Sequence, residues 1–200
     1  IGRGALSTNT TADNNTAVGY NALTSANGGS HNTACGTHAL ESSTTGSENA
    51  AFGMQALHSN TTGGNNTALG TNALKSNTTA NYNTAVGDDC LRNNTTGTSN
   101  VAMGVNALYT NTTANYCVAI GRGALYTSNA DKNTAVGYQA LEDNTGADNT
   151  AVGHQAANKN TSGVNNTAMG DRALRDNTTG NGNAAFGRYA LRDNNTNNNA

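Results

Sequence analysis

Histidine, cysteine and carboxylate side chains are the residues here whose chemistry could turn over a substrate or hold an ion, and their spacing organises neither. Catalytic bases and metal ligands work as small groups converging on one point. His31, His38, His58 and His154 are scattered over different slots of a repeated unit, and His38 stands where other copies have Asn21 and Gln55. They read as solvent-facing substitutions. Asp88-Asp89, Glu142-Asp143, Arg175-Asp176 and Arg192-Asp193 fall in loop sequence; a calcium site is conceivable there, but the G-G-x-G-x-D pattern of calcium-binding rolls is missing. Gly4 and Gly123 in G-R-G-A-L invite a phosphate-loop reading, yet no G-K-[ST] or long helix follows. The paired carboxylates of a glycan-cleaving groove are not supplied either. The sequence therefore predicts no enzyme, no catalytic residue, no cofactor and no metal ligand.

Cys35, Cys90 and Cys117 replace Val, Ala and Asn of other copies, which predicts isolated thiols acting as small buried residues. Tyr109 and Tyr126 share a slot in consecutive copies, and Tyr82 and Tyr116 share another two copies apart. Stacking on one another accounts for the first pair more simply than stacking on sugars. The N-x-[ST] acceptor pattern occurs at Asn9, Asn60, Asn77, Asn94, Asn111 and Asn177, and in a second setting at Asn14, Asn65 and Asn165. If occupied, these loops form a sugared outer edge, and Asn77→Ser is expected to be nearly silent.

The elements that would carry these residues follow from the repeat itself, N-T-A-V-G-x-x-A-L-x-x-N-T-T-G-x-x. Its anchoring glycines run Gly2, Gly19, Gly36, Gly53, Gly70, Gly87, Gly104, Gly121, Gly137, Gly153, Gly170 and Gly187. Nine of the eleven intervals are 17 residues, and the two flanking Gly137 are 16. A unit this short buries no core alone, so copies must stack into a rod. Two helices do not fit in such a unit, which leaves a β-solenoid, with Gly and Asn at corners where positive φ is cheap. The chain has no proline, as a ladder of backbone N–H donors requires. The two shorter repeats are expected to lose a loop residue without breaking the ladder.

Ala stands two before the glycine in every observable copy, and the residue one before is always apolar, among them Val18, Phe52, Leu69 and Met103. Three and four after the glycine come Ala and Leu, replaced only at Cys90 and Ala157. Adjacent side chains on a strand face opposite ways. The expectation is a narrow coil packed by Ala, with Val and Leu columns outside against a second copy of the chain. Asn four before the glycine, from Asn15 and Asn32 to Asn183, is expected to form an outer amide ladder.

At 34% hydrophobic, 4% aromatic and 11% charged residues, the 200-residue chain is too poor in large side chains for an ordinary globular core. A net charge of −2 does not suit nucleic acid. Low hydrophobicity also marks disorder, but the strict register of apolar slots argues for folding. No membrane span of ~18 apolar residues is present, nor a signal peptide. The chain opens within a repeat at Ile1-Gly2, which reads as a window on something longer, with any secretion signal or anchor outside it.

The units NNTAVGYNAL (14–23), CVAIGRGAL (117–125) and NTAVGYQAL (133–141) resemble the head repeats of trimeric autotransporter adhesins. They resemble still more the N-T-A-x-G-x-x-A-L repeats of phage tail-fibre and bacterial surface proteins. The resemblance implies a parallel β-roll, left-handed and trimeric, used as an extracellular shaft or adhesive tip. Adhesin head turns are shorter and carry a second small-residue motif. The combined expectation is an all-β, parallel β-solenoid of twelve turns over residues 1–191, with 192–200 a polar tail or the start of another repeat. Its function would be that of a non-enzymatic fibre shaft or stalk. Its partners would be itself and a surface glycan or receptor, with no nucleic acid and no membrane insertion. An ice-binding solenoid with Thr and Asn ladders is the alternative, although that function favours T-x-T and here Thr precedes Ala-Val.

Overall fold

The structure, a computed structural model, describes residues 1–199. Each repeat places a three-residue strand just before its glycine: β1 (Thr16–Val18), β2 (Thr33–Cys35), β3 (Ala50–Phe52), β4 (Thr67–Leu69), β5 (Thr84–Val86), β6 (Val101–Met103), β7 (Val118–Ile120), β8 (Thr134–Val136), β9 (Thr150–Val152), β10 (Thr167–Met169) and β11 (Ala184–Phe186). They form one parallel sheet in sequence order, with no helix among the described residues. The fold is a parallel β-solenoid of about ten turns, one strand per turn. The copy around Gly2 adds no strand, because only Ile1 precedes its glycine. At ~4.8 Å per strand step the eleven-stranded sheet is about 50 Å long.

The repeat fixes the register, Ala against Ala at every pairing, as in Ala68↔Ala85 and Ala85↔Ala102. It continues through the two 16-residue repeats, with Ala119↔Ala135 and Ala135↔Ala151. The deletion is taken up in the loops, as expected. On each strand the central Ala is buried and its two neighbours face outward, partly or largely exposed. The chain turns at the glycine because only glycine fits: Gly70 has φ +141°, and a Cβ there would overlap the carbonyl of Gly87 in the next turn.

The interior differs from expectation in two columns. Leucine, expected outside, is inside: Leu23, Leu40, Leu57, Leu74 and Leu91 are fully buried. Ala and Leu after the glycine lie in a turn, so strand alternation does not govern them. The leucines sit near φ +51°, and this left-handed conformation swings the side chain inward. The Asn column before the strand, expected outside, is also inside, with Asn32, Asn83 and Asn100 fully buried. Each amide brackets two turns. Asn49 Oδ1 accepts the backbone N–H of Asn66 at 3.0 Å, and Asn49 Nδ2 donates to the Gly63 carbonyl at 2.9 Å. At the missing rung, Cys117 N–H still donates to Asn100 Oδ1 at 2.9 Å, and its Sγ contacts the Ala130 carbonyl at 3.3 Å.

A second internal ladder uses the Asn of N-T-T. Asn77 Nδ2 donates to Asn60 Oδ1 at 2.9 Å, Asn94 to Asn77 at 3.0 Å and Asn111 to Asn94 at 2.8 Å. Each amide also reaches a carbonyl of its own corner, as Asn77 does at Ala80. The expectation that Asn77→Ser is silent rested on an exposed loop position, whereas Asn77 is fully buried and hydrogen-bonded to the turns on both sides. Five of the N-x-[ST] acceptors, Asn60, Asn77, Asn94, Asn111 and Asn177, are buried and offer no amide to a glycosylating enzyme. Asn14, Asn65 and Asn165 remain exposed.

Candidate interaction surface

The outer face of the sheet is the surface most clearly specified by the repeat. In T-A-V the Ala points inward, so the residues three and one before each glycine share the outer face. The column one before the glycine is uncharged throughout and apolar: Val18, Cys35, Phe52, Leu69, Val86, Met103, Ile120, Val136, Val152, Met169, Phe186. Seven of its large side chains are 37–66% exposed. Thr, Val or Ala fills the neighbouring outward column, again without a charge. Tyr20, Met54, Val105 and Tyr138, one after the glycine, are also exposed, but they belong to a flanking column that elsewhere carries Asp88, Arg122, His154, Asp171 and Arg188. The expectation that the Val column faces away from the coil holds; the Leu column does not join it.

The chain has only two phenylalanines, Phe52 and Phe186, and both lie in this outer column. In those two turns, and in no others, the outward neighbour is Ala, at Ala50 and Ala184. The largest side chain of the face is thus set beside the smallest. Water imposes no such constraint on volume, whereas a packed contact does.

The titratable residues occupy the flanks. His38 and His58, expected to be unrelated, meet at one carboxylate: Glu41 Oε2 lies 2.7 Å from His38 Nδ1 and 3.1 Å from His58 Nε2. Successive turns place these slots side by side, a neighbourhood invisible to linear spacing. His154 lies 3.1 Å from Asp171 Oδ1, and Arg188 Nε 3.2 Å from Asp171 Oδ2. Desolvation raises the Asp171 carboxyl, but the hydrogen bonds from Arg188 and His154 and the nearby positive charge together outweigh it and hold the group below its usual range. Among the described residues no group of three or more His, Cys, Asp or Glu is arranged to hold a metal ion. Asp88 is exposed, and Arg92 lies 3.4 Å from Asp89.

Tyr109 and Tyr126 stack with centroids 5.2 Å apart and planes 2° from parallel, as their shared slot predicted. Tyr82 and Tyr116 stand exposed. All three cysteines are free. Burial pushes the Cys90 thiol up to about 12 and Cys117 to about 11, backbone hydrogen bonds opposing it in both. Cys35, expected to be buried, is exposed on the outer face of the sheet. No protein family model, curated protein or solved structure matches this chain. No helix of the described residues is long and apolar enough to cross a membrane.

Proposed function

We propose that this chain is a non-enzymatic, self-associating segment of an extracellular fibre or adhesive stalk, of the phage tail-fibre or bacterial surface type that its repeats resemble. It works mechanically: backbone ladders run along the axis, Ala, Leu and Asn fill each coil, and the outer sheet faces join one coil to another. The continuous apolar outer column carries this reading. Eleven apolar side chains in line, seven of them 37–66% exposed, form a contiguous apolar patch of the kind that marks an interaction site. The assembly we propose is a parallel, in-register homotrimer of left-handed coils, displayed on a cell surface, a secreted filament or a virion. Pairing each turn with its own equivalent sets Phe52 of one copy near Ala50 of the next. It also brings no like charges into the contact, since both outward columns are uncharged.

Cys35 provides the test. In register, Cys35 of neighbouring copies stand at one height, so mild oxidation should yield a Cys35-linked dimer that disappears in Cys35→Ser. Mass photometry of the untreated protein reports self-association separately. Monomers at micromolar concentration would sink the fibre reading; oligomers that cross-link Cys35 only to an engineered thiol at Met169 would show antiparallel pairing instead. The ice-binding alternative draws on the same face. It asks for a uniform ladder, whereas this column mixes Cys, Val, Leu, Ile, Met and Phe, and absent thermal hysteresis would dispose of it.

A further inference from the structure

Next to Gly123 the flank of the coil carries a cleft of about 150 Å³, lined by Arg122, Tyr126, Tyr138, Gln139 and Glu142. The glycine opens it. Gly123 has φ +67°, but the same slot carries Asn21, Asn72, Asn106 and Gln139 at φ +51 to +58°, so the backbone there accepts a side chain. A Cβ on Gly123 would make only ordinary contacts, 3.5 Å to Gln139 Cγ and 3.9 Å to Glu142 Oε1. Neither the turn nor close packing demands glycine at this position, and what its absence of side chain leaves is the cleft.

The walls are fixed before any ligand arrives. Tyr126 is stacked on Tyr109, and Tyr138 on His154 with centroids 5.4 Å apart and planes 10° from parallel. Glu142 is held at both oxygens, Oε1 by Gln139 Nε2 at 2.7 Å and Oε2 by Asn158 Nδ2 at 2.9 Å. Each carboxylate oxygen keeps a further lone pair for an incoming hydroxyl. Arg122 lies over the Tyr138 ring at 6.0 Å and is in no ion pair among the described residues. Two tyrosine rings, one oriented acceptor and one free planar donor therefore line a space of one small ring.

We propose that this cleft binds a single pyranose unit of a carbohydrate, a property separate from self-association. Each sugar hydroxyl both donates and accepts, so neighbouring hydroxyls suit Glu142 as acceptor and Arg122 as donor. The C–H face of the ring lies on the side of Tyr126 turned away from Tyr109, since Tyr138 already has His154 stacked on it and Arg122 over it. The volume is below the ~300–1,000 Å³ of sites for drug-sized ligands, which sets the ligand at one ring and the affinity in the millimolar range. Saturation-transfer NMR with the methyl pyranosides of glucose, galactose and mannose tests this on the intact chain. At least one should bind saturably. Gly123→Asn, which places the residue of Asn21, Asn72 and Asn106 in the cleft, should weaken it at least tenfold at unchanged melting temperature. Glu142→Gln should weaken it too, and it keeps the proposal testable should Gly123→Asn misfold. Absence of saturable binding by all three sugars overturns the proposal, as does binding that survives both substitutions.

Discussion

At the scale of single residues, the interior is held by amides that bond to the next turn's amides, 16 or 17 positions away in sequence, and to corner carbonyls 3 or 14 positions away. Asn77 donates to Asn60 and to the Ala80 carbonyl while accepting from Asn94. A serine is too short to span the ladder, leaving buried amide atoms without partners at a cost of about 1–3 kcal/mol. Asn77→Ser should therefore lower the denaturation midpoint, and an unchanged midpoint would show the ladder to be energetically idle. Cys90 supplies a pH-dependent case. Its thiol stays protonated in the folded chain up to about 12, against an ordinary value of 9.0. Above pH 9 the unfolded chain binds fewer protons than the folded one, so stability falls as pH rises. Cys90→Ala restores the residue of the other copies and removes one source of this loss. Denaturant titrations at pH 7, 9 and 10.5 should show a shallower decline for the variant, with the remainder assigned in part to Cys117.

At the scale of the element, one turn combines a relaxed strand with a strained corner. Leu74, at φ +52° and fully buried, donates its N–H to the Cys90 carbonyl at 3.0 Å. A left-handed conformation costs a non-glycine residue about 1–2 kcal/mol, while burying a leucine returns about 1.5–3 kcal/mol. Burial wins by a small margin. Leu74→Ala loses the burial and keeps the strain; Leu74→Gly loses the burial and relieves it. The glycine variant should consequently melt no lower than the alanine variant, the reverse of the usual order within regular elements. An alanine variant clearly more stable than the glycine one would mean that the corner is unstrained. The strand has the opposite character, because its small Ala faces a filled coil. Ala85→Leu overpacks that coil, at a cost of roughly 1–3 kcal/mol.

At the scale of the whole molecule, the inside of the rod is complete and its outer sheet face is not. Met103 is 45% exposed on that face and points away from the coil. Met103→Asp should leave the circular dichroism of the solenoid intact and shift sedimentation from oligomer to monomer, since a carboxylate in an apolar contact pays its desolvation cost unpaired. An oligomer unaffected by the substitution would place the contact elsewhere. The flanks are where the chain departs from its own consensus, in the Glu41, Asp171 and Gly123 neighbourhoods.

The spacing of glycines and the invariant inward Ala determined the coil, the strand register and the tolerance of two shorter repeats, because each is a consequence of period alone. The structure decided that each turn carries one strand and not two. Strand alternation likewise decided which residues of T-A-V look outward. Tertiary structure decided what period cannot encode. Leucine turned inward because the backbone at its slot is left-handed rather than extended, and Asn turned inward because corner carbonyls of the next turn needed a donor inside the coil. His38, His58 and Glu41 came together, and Gly123 opened a cleft, through contacts between turns. Such contacts depend on which slots the winding sets side by side, and sequence separation carries no measure of that distance.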